Sequence, residues 1–455
     1  MSPILVTSED VAAVAPARGP SGWRPAPAGA LRYNPDWTPA RRRLFAGRTP
    51  VVDGVPTTDP LIERVIDRMW EGDRRMDDVV AMFGRVGAGP GRRLFEQALS
   101  CGIDRVADAP PELVALFAQL DRIPPSIDMS RVRHGAIIAA NVTPAGKGAG
   151  MFLNTIATVQ GGAVGAAVGA TGRMQRDALH RARESATFWV HLPRPGGLER
   201  FGVAFQNAVR VRLMHAQVRA MLTQRWGLAW IREHGVPIPN SSIAAGIPTF
   251  GVANVLYDVH FGKRYDRRDL EDVHAFWSYI GYVMGADEDL IPRSPEEGMR
   301  ILDFALSVMP PPSQYADALN AISDLLLDSL MASVRFPVFD EQLKPFVREA
   351  LDGFYFFVGG DFLGSRITGT ERPTPIGRLA PHFVRVLVLL SNVERILPGR
   401  AERMRRGAER GDPFWQLLVD QFDRLARDRA DGRSPTYTAH DRSRSDEIGE
   451  PHRSV

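Results

Sequence analysis

Between Gln206 and Arg225 the chain reads QNAVRVRLMHAQVRAMLTQR, with one histidine among apolar neighbours. At 3.6 residues per turn Val211, Met214, His215, Val218 and Leu222 share a helical face. An imidazole in such a stripe needs partners for its ring nitrogens. Two arrangements supply them. In one, His215 is a core residue hydrogen-bonded to a backbone carbonyl. In the other, its Nε2 binds a metal at the floor of an apolar pocket, as a proximal haem ligand does.

A second segment, GRMQRDALHRARESATFWVHL, repeats the anomaly. Met174, Ala178, Arg181, Ser185 and Phe188 step by four, three, four and three residues, which puts an arginine and a serine in an apolar stripe. Glu184 lies three residues from Arg181. Either the two form a buried pair that only fastens helices, or they are kept there for function. A buried pair is costly and adds little stability, which favours function. Gly161, Gly165 and Gly169, spaced by four, clear one helix face, either for close packing or for a flat ligand such as a porphyrin.

These residues need helices to position them, and the sequence supplies them. Ile62, Val65, Ile66 and Met69 recur at three and four after Asp59, as do Leu113, Leu116, Phe117 and Leu120. Ser294, Pro295 and Glu297 read as a capping box, and Asp324 to Val334 and Phe383 to Leu397 as further helices. Strand-like alternation is nearly absent, so the expected class is all-α, a large helical bundle. Residues 1–60 form a Pro-, Gly- and Arg-rich lead that wraps or dangles, residues 61–429 a single all-α domain, and residues 430–455 a tail too polar to fold. Gly87, Gly89 and Gly91, with Pro90 between them and no strand before, read as a loop and not as a nucleotide cradle.

Composition excludes several classes. Apolar residues make up 44% and charged residues 24% of the 455, the balance of a folded globular chain. The 56 basic and 53 acidic side chains nearly cancel, which argues against a nucleic-acid partner. A single cysteine, Cys101, excludes an intramolecular disulfide and the Cys-x-x-Cys-His attachment of a c-type haem. The uncharged stretch Gly148 to Gly172 is rich in glycine, with Asn154 and Gln160, and reads as buried helix; no integral membrane span is expected. Arg41, Arg42 and Arg43 lack a following apolar run, so they read as a solvated basic turn and the expected location is cytoplasmic.

The segment RVRLMHAQVRAML, from Arg210 to Leu222, resembles the haem-ligating segment of the latex-clearing-protein and MpaB-type oxygenase superfamily. PGGLERFGVAFQNA before it is similar to that family, as are GVPIPNSSIAAGIPTF and FWSYIGYVMGADEDLIP after it and LDRIPPSIDMSRVRHGA further upstream. The resemblance covers about Pro110 to Pro292, and the lead and the C-terminal third add little.

The resemblance implies a globin-like haem-binding core, haem b held without a covalent link, and dioxygen-dependent attack on a hydrophobic small molecule, olefinic or isoprenoid-like. By position His215 becomes the proximal iron ligand, with Arg212 in the same motif and Gly161 and Gly165 against the cofactor. Arg181, Glu184 and Ser185 become distal residues. Glu184 replaces the lysine of latex-clearing proteins, and is either a base for allylic proton removal or a counter-charge for Arg181. A histidine ligand pushes less toward O–O cleavage than a thiolate, which favours dioxygenase-like insertion. The rival expectations are a non-catalytic haem-binding or haem-sensing protein, and a haem-free helical scaffold binding a hydrophobic ligand. A homo-oligomer is left open.

Overall fold

A computed structural model describes residues 8–45, 49–160, 166–167, 178–309 and 340–428. Among these residues all regular structure is helical, and the chain is all-α. In chain order the N-terminal helices are α1 (Ser8–Val14), α2 (Thr38–Phe45) and α3 (Pro60–Asp67). Next come α4 (Arg74–Val86), α5 (Ala88–Cys101), α6 (Pro111–Leu120), α7 (Met129–Ala140) and α8 (Pro144–Gln160). The middle of the chain contributes α9 (Ala178–His191), α10 (Val203–His234), α11 (Asn240–Phe250), α12 (Val252–His260), α13 (Arg267–Val283) and α14 (Pro295–Ser307). A C-terminal layer consists of α15 (Asp340–Thr368), α16 (Pro375–Ser391), α17 (Arg400–Arg410) and α18 (Pro413–Asp428).

The periodicities place these helices where expected. Ile62, Val65 and Ile66 are buried on α3, which Asp59 caps by accepting from the Leu61 amide at 2.9 Å. Leu113, Leu116, Phe117 and Leu120 are buried on α6. Ser294 accepts from the Glu297 amide at 3.3 Å and opens α14, while the Glu297 carboxylate reaches the Arg293 amide and not that of Ser294.

At the centre lies α13, buried on nearly every side from Val273 to Val283, as expected of a helix that is apolar all round. Its N-terminus carries a reciprocal capping box between Asp266 and Asp269. Helix α7 lies so close to it that a Cβ on Gly135 would stand 2.0 Å from the Asp272 carbonyl oxygen. Helix α8 meets α12 in the same way, since a Cβ on Gly150 would stand 2.1 Å from Asn254 Oδ1. Asn154, one turn on, donates to that same oxygen at 2.9 Å.

Of the two courses expected for the lead, its described residues wrap: Trp37 and Phe45 are buried, and Trp37 packs edge-on against Phe362 at 5.2 Å. Other expectations change. The basic triplet is no solvated turn. It lies on α2, where Arg41 is fully buried and bonded to Asp303 through Nε and Nη2, both at 2.8 Å. An apolar-window reading cannot see this, because the partner lies 262 residues away. Gly89 and Gly91 open α5 and form no loop; Gly91 is needed there because a Cβ would meet the Phe83 ring at 2.6 Å. Among the described residues the stretch with membrane-like length and composition is Pro375–Arg395, 21 residues, and much of Gly148 to Gly172 lies outside them. The expected helix over Asp324 to Val334 and the tail from 430 lie outside the described residues, as do Gly161, Gly165 and Gly169.

Removing one partner of a buried ion pair strands the other charge. Arg41→Met is therefore expected to lower unfolding stability by about 3–5 kcal/mol, while Arg42→Met, at an exposed pair with Asp53, leaves the denaturation midpoint unchanged. Guanidinium denaturation of the two variants side by side checks this.

Candidate functional site

His215 sits near the middle of α10, a helix the sequence starts and shapes through glycine. Gly202 stands at its N-cap, where a Cβ would lie 2.3 Å from the carbonyl oxygens of both Gly196 and Gly197. No other residue fits that turn. Gly227, at φ 71°, kinks the helix two turns before its end.

The buried face of α10 differs from the apolar stripe read in the sequence. Phe205, Ala208, Val209, Arg212, Leu213, Ala216, Arg219 and Leu222 are buried, while Val211, Met214, His215 and Val218 are half-buried. Two arginines cause this rotation. Arg212 donates through Nε to Asp73 Oδ2 at 2.5 Å and through Nη2 to Asp73 Oδ1 at 2.9 Å. Its Nη1 reaches Gln119 Oε1 at 2.8 Å and the Val283 carbonyl at 3.2 Å. Arg219 repeats the pattern two turns on, with Nη2 2.6 Å from Asp77 Oδ1 and Nη1 2.8 Å from the Ile238 carbonyl. Asp73 and Asp77 lie one turn apart at the start of α4, so two successive ion pairs lock α10 onto α4. Burial holds the Asp77 carboxyl above its ordinary value, a rise that Arg219 only partly offsets.

Glycines make room for both pairs. A Cβ on Gly285 would stand 2.3 Å from Asp73 Oδ2 and 2.7 Å from Arg212 Nε. One on Gly72 would stand 2.3 Å from Arg219 Nε. Asn240, fully buried, closes the knot: it donates to the Gly285 carbonyl at 2.7 Å and accepts from the Asp287 amide at 2.9 Å. Three segments noted for their resemblance thus meet under one helix: Arg212 from RLMH, Asn240 from PIPN, and Gly285 from MGADED.

Arg212 was expected at a cofactor. Its side chain is instead only 2% exposed and committed to Asp73, Gln119 and Val283, so it fastens the helix that carries His215. His215 lies three residues after Arg212 and four before Arg219, between the two clamps. Beyond it Val218 and Leu222 cluster with Ala167, Trp226, Ile238 and Ile243.

Helix α9 packs against α10. On α9, Ser185 is exposed and does not belong to a buried stripe, because the inner face is set by Ala186 and Val190 against Trp415, Leu418, Val419 and Phe422 of α18. Trp189 stacks on Trp415 at 5.3 Å, and Arg183 pairs with Asp423. Glu184 is half-buried, with Oε1 3.2 Å from His180 Nε2 one turn earlier. The Arg181 side chain lies outside the described residues, as do Gly161 and Gly165.

Among the described residues no three His, Cys, Asp or Glu side chains converge as ligands of a bare ion. His215 offers one imidazole beside half-buried apolar side chains. That donor set suits a macrocycle that brings its own ligands, and haem fits it.

The sequence model of the family described as "ER-bound oxygenase mpaB/B'/Rubber oxygenase, catalytic domain" matches residues 145–383. The chain belongs to this family. Membership makes it an oxygenase-type oxidoreductase, and the match runs past Pro292, so the C-terminal layer contributes more than its motifs suggested. The fold of this oxygenase is similar to the structure titled latex clearing protein LCP in the closed state, with a TM-score of 0.53 and 17% identity. That similarity covers 81% of this chain and 96% of that one. No curated protein matches the oxygenase in sequence.

Arg212→Met should cost about 3–5 kcal/mol of stability by leaving Asp73 buried without a counter-charge. Adding Asp73→Asn, which keeps an acceptor for the α4 N-terminus, should restore part of it. A double-mutant cycle in guanidinium denaturation reads the coupling; additive losses would show that the pair is not coupled.

Proposed function

We propose that this oxygenase uses haem b and dioxygen to oxidise a hydrophobic, olefinic or isoprenoid-like small molecule, with His215 as the sole protein ligand to iron. The observation that carries the reading is the position of His215, half-buried in an apolar face between two arginine–aspartate clamps, one buried and one partly exposed through Asp77. Bound haem supplies the iron at which dioxygen reacts, and an imidazole ligand favours a dioxygenase-like outcome over the O–O cleavage that a thiolate promotes.

The chain's own residues have separate tasks. His215 presents a ring nitrogen, and the clamps keep its helix from rotating or sliding. Val211, Met214 and Val218 flank the imidazole with side chains that offer no hydrogen bonds, so water gains little there and an apolar substrate or cofactor edge gains most. Gly161 and Gly165 are assigned to the same cofactor as small residues that let a flat ring approach. Arg181, Glu184 and Ser185 are assigned to the opposite, substrate side. There Glu184 would take up the allylic proton released as dioxygen oxidises the olefin and accepts its electrons, with His180 as the neighbour able to share it. The core is globin-like in this limited sense, that one histidine on a long helix holds the ring.

The test is an absorption spectrum after supplying haem during expression. Wild type should show a Soret band, and His215→Ala should remain helical and lose it. Equal colour in both would make His215 a core histidine. Glu184→Gln should keep the haem and the thermal midpoint while oxygen uptake with an isoprenoid olefin falls by about 10²–10⁴-fold. Loss of midpoint instead would make Glu184 a structural partner. Haem binding without any oxygen uptake would make the protein a haem carrier or sensor.

A further inference from the structure

Helix α16 and the 3-10 turn after it are apolar on two sides, and only one is covered. The inner side, Gly377, Pro381 and Val388, is buried, with Gly377 packed against Gly353 of α15. The outer side presents Leu379 (70% exposed), Phe383 (66%), Val386 (53%), Leu390 (63%), Val393 (51%) and Ile396 (82%). Their spacing puts the helical members on one face, and just 17% of the apolar window is buried.

This helix is not placed to span a bilayer. Its C-terminal end is tied to the body of the protein through Asn392 to the Gly262 carbonyl at 2.8 Å and Lys263 to Ser391 at 3.2 Å. Arg378, His382 and Arg385 would also have to enter hydrocarbon. Lying flat suits it better. Arg378 and Arg385, two turns apart on one flank of the outer face, are exposed and have no carboxylate partner among the described residues, while Glu394 is taken by Lys263. A second copy would offer the same two arginines and no available acid on this patch. A phosphate-bearing lipid surface offers apolar depth to the leucines and counter-charge to the arginines.

We infer that α16 is an interfacial helix that seats the protein on an anionic lipid bilayer, with Leu379, Phe383 and Leu390 entering the acyl boundary and Arg378 and Arg385 meeting headgroup phosphates. The inference goes beyond the oxygenase reading and stands without haem.

Co-sedimentation of the full chain with phosphatidylcholine vesicles, and with an equal mixture of phosphatidylcholine and phosphatidylglycerol, tests it. The protein should pellet with the mixed vesicles and be released as salt rises. Leu390→Asp should abolish pelleting with the thermal midpoint unchanged. Arg378→Gln combined with Arg385→Gln should lower the partition coefficient roughly thirtyfold on mixed vesicles and little on phosphatidylcholine alone. Three results would overturn the proposal. One is no pelleting at low salt, or pelleting that Leu390→Asp leaves intact. Another is a dimer that Leu390→Asp splits, which assigns the face to a second copy. The last is a lowered midpoint in Leu390→Asp without vesicle binding, which assigns the face to residues 310–339 of the chain itself.

Discussion

The bidentate bond between Arg212 and Asp73 is the contact on which the placement of the candidate site depends. It fastens α10 to α4, and through Gln119 and the Val283 carbonyl it also ties α6 and the end of α13 to the same point. Burying a guanidinium and a carboxylate together costs several kcal/mol of desolvation per ion, which only close geometry and further hydrogen bonds offset. Every nitrogen of the guanidinium accordingly has an acceptor. Gly285 must lack a side chain for the pair to close, and Asn240 must hold the turn that Gly285 belongs to. What the pair secures is orientation. With Arg219 and Asp77 as a second fixed point two turns away, α10 cannot roll, and the face carrying His215 is held at one angle.

That angle accounts for the mixture of chemistry along α10. A helix packed only by apolar residues would turn the stripe of Val211, Met214, Val218 and Leu222 inward and bury the imidazole. Here the arginines claim the inner face beside Leu222, which stays buried, while Val211, Met214 and Val218 are left half-covered, Val218 next to Ala167 and Ile243. A half-buried apolar face with one nitrogen donor is a poor way to stabilise a fold and a serviceable way to hold a ligand. The aromatic contacts of Trp189 with Phe250, Trp277 and Trp415 serve the complementary purpose, joining α9 to the core and to α18.

Local pattern made much of this legible. Period and caps specify α3, α6 and α14, and the lone histidine among apolar residues marks His215 from local sequence. Long-range pairing was not legible. Arg212 looked like part of a ligand motif because its partner, Asp73, lies 139 residues earlier. The Asp-x-x-x-Asp spacing of residues 73 and 77, set against Arg212 and Arg219 at two turns, was the signal available for it. Ser185 was placed in a buried stripe because the apolar face of α18, which decides the register of α9, lies more than two hundred residues away. Arg41 failed for the same reason. Charged residues in cores are specified by partners, and a window of sequence contains no partners.

If the buried Arg212–Asp73 pair holds the His215 imidazole in position for iron, as proposed, the iron–histidine stretching band of the haem-loaded ferrous protein, read by resonance Raman, reports on it. Wild type should give a single band. Asp73→Asn, still helical by circular dichroism, should shift or split it, because the clamp that sets the ring's angle is weakened. A wild type without the band would show that His215 does not bind iron, and a band identical in Asp73→Asn would show that the ion pair does not set the ring's angle.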